Sequence, residues 1–339
     1  MPEYSPEEFH MLVRANLRKN VTRDHGGVFY VAYGPNNTYT YQETIDFESF
    51  IYMSDETDQD KMYFDSFDAG YHAMPWHVVL SRKSPALVVA WDHSVLDGVS
   101  AHIGMCLISG IPIPEYKKIR TNMLERAVSV TRLVPELPRL CIPSHVSHER
   151  NPSNRATKYL TYPIDIPDIK QRSKQAGVPF AVQALSDYIG KLFENLPESI
   201  TRLKTAVTCL LEDDRDVFNT FSAVIIQIDR HDTSVDTINR SLTACFGTAL
   251  VMNDMYQGID LAKQLIGCDV SVGTVKHLTN GLNVNVDVIF TSMLSSERSN
   301  IVVHNTCSKV PFYVCMVDGH VTTSSNSSVY DISKFTMGC

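Results

Sequence analysis

The stretch of this 339-residue chain with most capacity for chemistry is Trp91-Asp92-His93-Ser94-Val95-Leu96-Asp97-Gly98. It follows the apolar run Ala86-Leu-Val-Val-Ala90, so an imidazole and two carboxylates stand at the end of a buried strand, where polar groups cost free energy unless paired or used. Two bland readings compete. In the first, His93 is a satisfied core histidine and Asp97-Gly98 an ordinary turn, with Asp97 capping the next helix. In the second, His93 and Asp97, four apart, bind a metal from one helical face. That version needs both residues inside a helix, yet they straddle a strand end and a glycine, and no third ligand is close in sequence. The remaining histidines carry less weight: His102 falls within the following helix, and His25, His231 and His320 sit in polar turns.

The elements that must position this segment follow from periodicity. Residues 6–19 place Phe9, Leu12, Val13 and Leu17 at helical spacing, and β-type runs follow at Val28–Tyr33, Phe47–Met53, Trp76–Leu80 and Ala86–Trp91. Gly98 to Leu107 and Ile119 to Leu133 read as helices. The stretch from Pro135 to Pro152 has the composition of a surface crossover, which puts the expected boundary between two halves, 1–150 and 151–339. The second half alternates: a strand at Lys158–Ile164, helices at Ile166–Gln175 (ending at Gly177) and Pro179–Phe193, and strands at Thr205–Leu211 and Ala223–Asp229. Helices near Val235–Asn253 and Gly258–Cys268 come next. The end is strand-like at Val284–Thr291, Ile301–Asn305, Phe312–Val317 and His320–Ser325, with Asp318-Gly319 as the last hairpin turn. An α/β chain results.

Composition excludes several classes. Apolar residues make up 44% and charged residues 20%, which are globular values. The net charge of -8, without a Lys/Arg cluster, argues against a nucleic-acid groove. The acidic start Met1-Pro2-Glu3-Tyr4 lacks the features of a secretion signal, no apolar run is long enough to span a bilayer, and the expected location is cytoplasmic. Eight scattered cysteines without a Cys-x-x-Cys pair read as reduced core thiols, and no metal site is expected.

With its strand leading in and its small-residue helix leading out, the Trp91–Gly98 segment resembles the His-x-x-x-Asp-Gly motif of the CoA-dependent acyltransferase superfamily. That superfamily holds chloramphenicol acetyltransferase, the BAHD acyltransferases, the carnitine acyltransferases and the condensation domains of peptide synthetases. The Asp92-His93 step looks most like the Glu-His form of the carnitine enzymes. The resemblance implies two chloramphenicol acetyltransferase-like α/β sandwich halves with mixed sheets and an active-site channel at their interface, the first half carrying the motif. In Leu210-Leu211-Glu212-Asp213-Asp214-Arg215-Asp216-Val217-Phe218-Asn219 a strand ends in an arginine step followed by an asparagine, as in BAHD and related enzymes. There the arginine pairs with the motif aspartate, which makes Arg215 the implied partner of Asp97 and Asn219 part of the supporting segment. Phe290-Thr291-Ser292 is similar to the Ser-Thr-Ser step of carnitine acyltransferases, and the resemblance gives Ser292 the role of oxyanion donor.

The implied reaction is direct transfer from acyl-CoA, as co-substrate and not as a resident cofactor, to a small hydroxyl or amine acceptor. His93 is its general base, Gly98 leaves room for the pantetheine arm, and Lys170 and Lys174 meet the CoA phosphates. A monomer without nucleic-acid or membrane partners is expected. The BAHD Asp-Phe-Gly-Trp-Gly motif, the paired histidines of condensation domains and the carnitine-binding signatures are missing. Ser94 stands where dihydrolipoyl acyltransferases carry arginine. A protein that keeps the fold as an inactive scaffold is therefore the alternative, and an unrelated α/β enzyme a further one.

Overall fold

Ser5 and Glu8 open the first helix as a reciprocal cap: the Glu8 amide donates to the Ser5 hydroxyl at 3.2 Å and the Ser5 amide to the Glu8 carboxylate at 2.9 Å. This helix, α1 (Pro6–Asn20), turns Val13 and Leu17 inward. The computed structural model of the chain describes residues 4–22, 27–34, 38–91, 98–113, 118–141, 158–211, 221–254, 286–293, 310–317 and 320–325. The chain divides into two units, one built on Met1–Pro114 and the other on Glu115–Asp213, Phe221–Asp260 and Leu278–Cys339.

In the first unit β1 (Val31–Gly34) pairs antiparallel with β2 (Thr38–Tyr41). A second sheet has the order β3-β4-β5, with β3 (Ile51–Ser54), the crossover helix α2 (Gln59–Asp68), β4 (Trp76–Ser81) and β5 (Leu87–Trp91) following in sequence. Its first pair is parallel and its second antiparallel. Every residue of β4 is buried, as befits a strand covered on both faces. Trp76 is the centre of the core: Phe50 stacks on it at 4.5 Å, Phe29 meets it edge-on at 4.9 Å, and its indole N–H donates to the Phe29 carbonyl at 3.0 Å. Helix α3 (Gly98–Ser109) packs on α1, whose Asn16 and Asn20 side chains donate to the Ile108 and Leu107 carbonyls, each at 3.0 Å. The Ile108 carbonyl lies in the last turn of α3, where a helix leaves its carbonyls without intrahelical amides, while the Leu107 carbonyl also accepts the Gly110 amide at 3.4 Å. Gly104 permits the packing of α3 on Phe29, since a Cβ there would lie 2.0 Å from the ring.

Two expectations for this unit need correction. The runs Val28–Tyr33 and Phe47–Met53 begin as 3-10 turns, Gly27–Tyr30 and Phe47–Phe50, because Phe29 and Phe50 are drawn onto Trp76 instead of a pleated neighbour. Helix α2 was not expected. It buries only Met62 and Ser66, so its apolar period is faint, and its start is set by the Asp58 carboxylate, which accepts from the Asp60 and Lys61 amides.

The second unit opens with α4 (Met123–Leu133) and α5 (Leu137–Leu140), which pack on later elements of the same unit. The expected start at Ile119 is displaced to Met123 because Asn122 and Glu125 form a second reciprocal cap, while Ile119 bridges to Leu211. Then come β6 (Lys158–Pro163), α6 (Ile166–Ala176), α7 (Phe180–Asn195), β7 (Arg202–Leu210), β8 (Phe221–Asp229), α8 (Val235–Cys245), β9 (Val288–Met293), β10 (Phe312–Val317) and β11 (His320–Ser325). Gly177, at φ 66°, stops α6 in the left-handed region, and Pro179 caps α7 from outside instead of entering its first turn. The expected Val235–Asn253 helix is interrupted at Phe246, with residues 247–254 helical beyond it.

Six strands form one mixed sheet in the order β6-β11-β10-β9-β7-β8. Its inner strands β7, β9 and β10 run parallel and the remaining neighbours antiparallel. Strict alternation sends Val207, Ile226, Phe290, Val314 and Val321 to one face, where they meet Tyr188, Leu185 and Leu192 of α7. At the β8 margin the Thr248 hydroxyl accepts the Ile225 amide at 2.9 Å and donates to the Cys245 carbonyl at 2.8 Å. The hairpin expected between β10 and β11 is present, with Val317 paired to His320, while Asp318-Gly319 themselves lie outside the described residues, as do the expected elements at Gly258–Cys268 and Ile301–Asn305. Among the described residues no helix is long and apolar enough to cross a membrane. Nor do three or more His, Cys, Asp or Glu side chains gather there to hold a metal. The chain thus has the mixed α/β class expected of it, with a mixed sheet in each unit.

Candidate functional site

The motif segment occupies the junction of β5 and α3. β5 ends at Trp91, which pairs in register with the buried Trp76, and α3 begins at Gly98, which is half-buried. The core therefore fixes both anchors of residues 92–97: one by strand pairing onto the central indole, the other by a helix that Gly104 seats on Phe29. His93 and Asp97 lie outside the described residues, and so do Arg215 and Asn219.

In the second unit, β7, β9 and β10 point their carboxyl ends the same way, the end at which open α/β sheets place their ligands. Ser292 sits there, half-buried on β9 beside Met316 of β10, on the face shared by Val288 and Phe290. Leu211, just past β7, lies at the same end. Cys209, near the end of β7, has its thiol pushed up to about 12 by burial, and Cys315 of β10 is also pushed up to about 12 by burial. Neither thiol is available as a thiolate at neutral pH.

Lys170 and Lys174, a helical turn apart, are both exposed on α6. Arg172 between them points elsewhere. It forms a fork with Asp187 of α7, at 2.9 and 2.8 Å, and a third bond to Asp168 at 2.7 Å. Its pKa is raised by the hydrogen bonds to Asp187, against the opposing effect of burial. Gln183 donates to the same Asp187 carboxylate at 2.9 Å. Asp168, Arg172 and Asp187 line a surface groove of about 270 Å³ with Asp165, Ile169, Ser186, Gly190, Lys191 and Glu194. The groove was not expected from the sequence, because its walls come from two helices. The one local signal is Gln183 and Asp187, four apart on α7.

No family model and no curated protein matches the sequence. Solved structures do match, over nearly its whole length. The epimerization domain from the third module of tyrocidine synthetase B shares 13% identity at a TM-score of 0.54, over 97% of this chain and 86% of that one. The first condensation domain of the calcium-dependent antibiotic synthetase, in complex with a substrate analogue, shares 11% at a TM-score of 0.51, over 96% and 84%. The condensation domain from the Monacolin K polyketide synthase shares 11% at a TM-score of 0.50, over 99% and 87%. Two α/β units with mixed sheets, matched to these domains from end to end, give this chain the chloramphenicol acetyltransferase-like fold of condensation domains.

Proposed function

We propose that the chain is an acyltransferase that moves an acyl group from a thioester to a hydroxyl or amine by direct attack, with His93 as general base. The observation that supports this most is where the motif falls: between the end of β5 and the first residue of α3, in a chain with this fold over 97% of its length. His93 takes the acceptor's proton as its lone pair attacks the thioester carbonyl. Ser292 donates to the oxygen as it gains charge, and the imidazolium returns the proton to the thiolate when the C–S bond breaks. Asp97 and Arg215 hold the loop as a bidentate ion pair, so that His93 is the acid–base group at the reacting atoms. Cys209 and Cys315, kept protonated by burial, offer no thiolate on this sheet for an acyl-enzyme. The donor is acyl-CoA, its phosphates met by Lys170 and Lys174 on the open side of α6. A thioester tethered to a protein would present the same carbonyl, and the matched domains are parts of a synthetase and of a polyketide synthase.

The test is a thiol-release screen with acetyl-, malonyl- and long-chain acyl-CoA and pooled amine and hydroxyl acceptors, with products identified by mass. His93→Ala should lower the rate by about 10²- to 10⁴-fold with folding intact, the range for loss of a general base. A His93→Ala protein as active as wild type would sink the mechanism. Failure of every donor to bind or turn over would favour the inactive scaffold. The likeness to an epimerization domain supports a second reading, in which the same base removes a proton from carbon beside the thioester carbonyl. Deuterium uptake from D2O without thiol release would identify that reaction.

A further inference from the structure

We infer that the outer face of α4 and α5 is the contact surface of a symmetric dimer, in which a second copy of this chain packs the same two helices antiparallel, in place of the monomer expected from the sequence. It holds whether or not the chain transfers acyl groups. α4 passes through one 3-10 turn, Val134–Glu136, directly into α5, and Leu133, Val134 and Leu137 all keep right-handed helical backbone. The inner side of α4 is occupied: Leu133 is buried, Arg126 pairs with Asp254, and the Ser129 carbonyl lies against Gly247. Along the outer side Met123, Ala127, Val130, Val134 and Leu137 recur at spacings of 4, 3, 4 and 3, the period of a helix–helix seam, and all five are exposed. Leu124, Val128 and Thr131 widen the stripe, while the helical period carries Glu125 and Arg132 to a separate flank.

A surface helix normally turns its apolar stripe to the core. Here the stripe faces out: Met123 is 89%, Leu124 74% and Val134 58% exposed, and Val128, Val130 and Leu137 lie between 39 and 44%. Together these six present roughly 600 Å² of surface, the upper end for the largest apolar patch of a monomer. Two such faces bury roughly 1,200 Å² between them, which reaches the range of stable protein pairs. The occupant is a second copy because the stripe complements itself. Turned about a two-fold axis level with Arg132, Val130 meets Val134 of the other copy and Ala127 meets Leu137, so equal side chains face each other in one layer and small faces large in the next. No charge falls in these layers. A lipid surface fits less well, since the net charge of -8 opposes anionic headgroups. Nor does the stretch 144–157 that follows supply a cover, with Val146 and Ala156 its only aliphatic side chains.

The test is analytical ultracentrifugation of the full chain over a concentration series. Wild type should pass from the 38.1 kDa monomer to a species of twice that mass, with a Kd of micromolar order. Val130→Glu and Val134→Lys fall at exposed positions and should leave the circular dichroism spectrum unchanged. Each should nonetheless raise the Kd by about 100-fold, because the dimer would bury a charge against an aliphatic side chain. Mixed in equal amounts, the two variants should associate again, since the antiparallel layer sets the new carboxylate against the new ammonium. A parallel pair would set position 130 against position 130 and give no such rescue. Wild type still monomeric at about 100 μM would overturn the dimer. So would a dimer indifferent to both substitutions, or a mixture that fails to reassociate. A chain that stays monomeric but floats with phosphatidylcholine–phosphatidylserine vesicles would overturn it too, and would assign the face to lipid.

Discussion

Gly104→Ala puts the packing behind the motif to a quantitative test. Helix propensity alone predicts that alanine inside α3 stabilises by about 1 kcal/mol. The structure predicts the opposite sign. The new Cβ would lie 2.0 Å from Phe29 Cζ and 2.8 Å from Cε2, so the ring would have to retreat by about 1.4 Å to reach ordinary contact at 3.4 Å. It has no room to do so, being 1% exposed and edge-on to Trp76 at 4.9 Å, with its own carbonyl bonded to the Trp76 indole. Overpacking of this kind costs about 1–3 kcal/mol and occasionally more, so the net loss is about 2 kcal/mol at the upper end of that range. The chain has two tryptophans, Trp76 and Trp91, both in the first unit, so tryptophan emission in urea reports that unit alone. With a slope of about 2 kcal/mol per molar, the midpoint should fall by about 1 M. Because α3 begins at Gly98, thioester turnover should fall as well, even below the unfolding transition. A Gly104→Ala chain with an unchanged or higher midpoint would refute the packing account.

Gly190→Ala is the complement: nothing stands within 4 Å of its added Cβ in the middle of α7, so it should stabilise by about 1 kcal/mol, seen as a higher Tm by circular dichroism. Asp187→Asn breaks the fork on Arg172, a half-exposed group, and should cost about 1 kcal/mol at low salt and less at high salt, measured by chemical denaturation. The Glu8 carboxyl is held below its ordinary pKa by the Ser5 amide and then the Ser5 hydroxyl. The stability it contributes is therefore complete above the ordinary carboxylate pKa and lost as pH falls through the lowered value. Glu8→Gln should flatten the decline in Tm between about pH 5 and pH 3, and an unaltered pH profile would count against the cap. Among the described cysteines Cys141 is exposed while Cys209, Cys245 and Cys315 have raised pKa values from burial, so peptide mapping after brief alkylation should find Cys141 labelled first.

What could be read in the sequence was local. The first helix, the Gly177 stop and the pairing of β10 with β11 each depend on a few neighbouring residues. The strand before the motif and the helix after it were legible for the same reason. Contacts between distant residues were not: Phe29 and Phe50 leave the strand pattern to reach Trp76, and β9 lies between β7 and β10, which no periodicity reveals. The basic face of α6 shows the limit at the level of a site. Lys170, Arg172 and Lys174 look equivalent as a string, but Arg172 lies two positions from each lysine and turns to an aspartate on the next helix.

The two margins of the six-stranded sheet bear on how the protein behaves in a crowded solution. A bare strand edge is a template on which another chain can grow, and growth of that kind leads to fibrils. At β8 the Thr248 hydroxyl already occupies the outward Ile225 amide. At β6 the strand starts with a lysine and closes with Pro163, which has no amide hydrogen to offer. Threonine and proline thus discourage propagation from opposite sides. Thr248→Val keeps the shape but frees the amide, and with it a point from which this sheet could begin to recruit copies of itself.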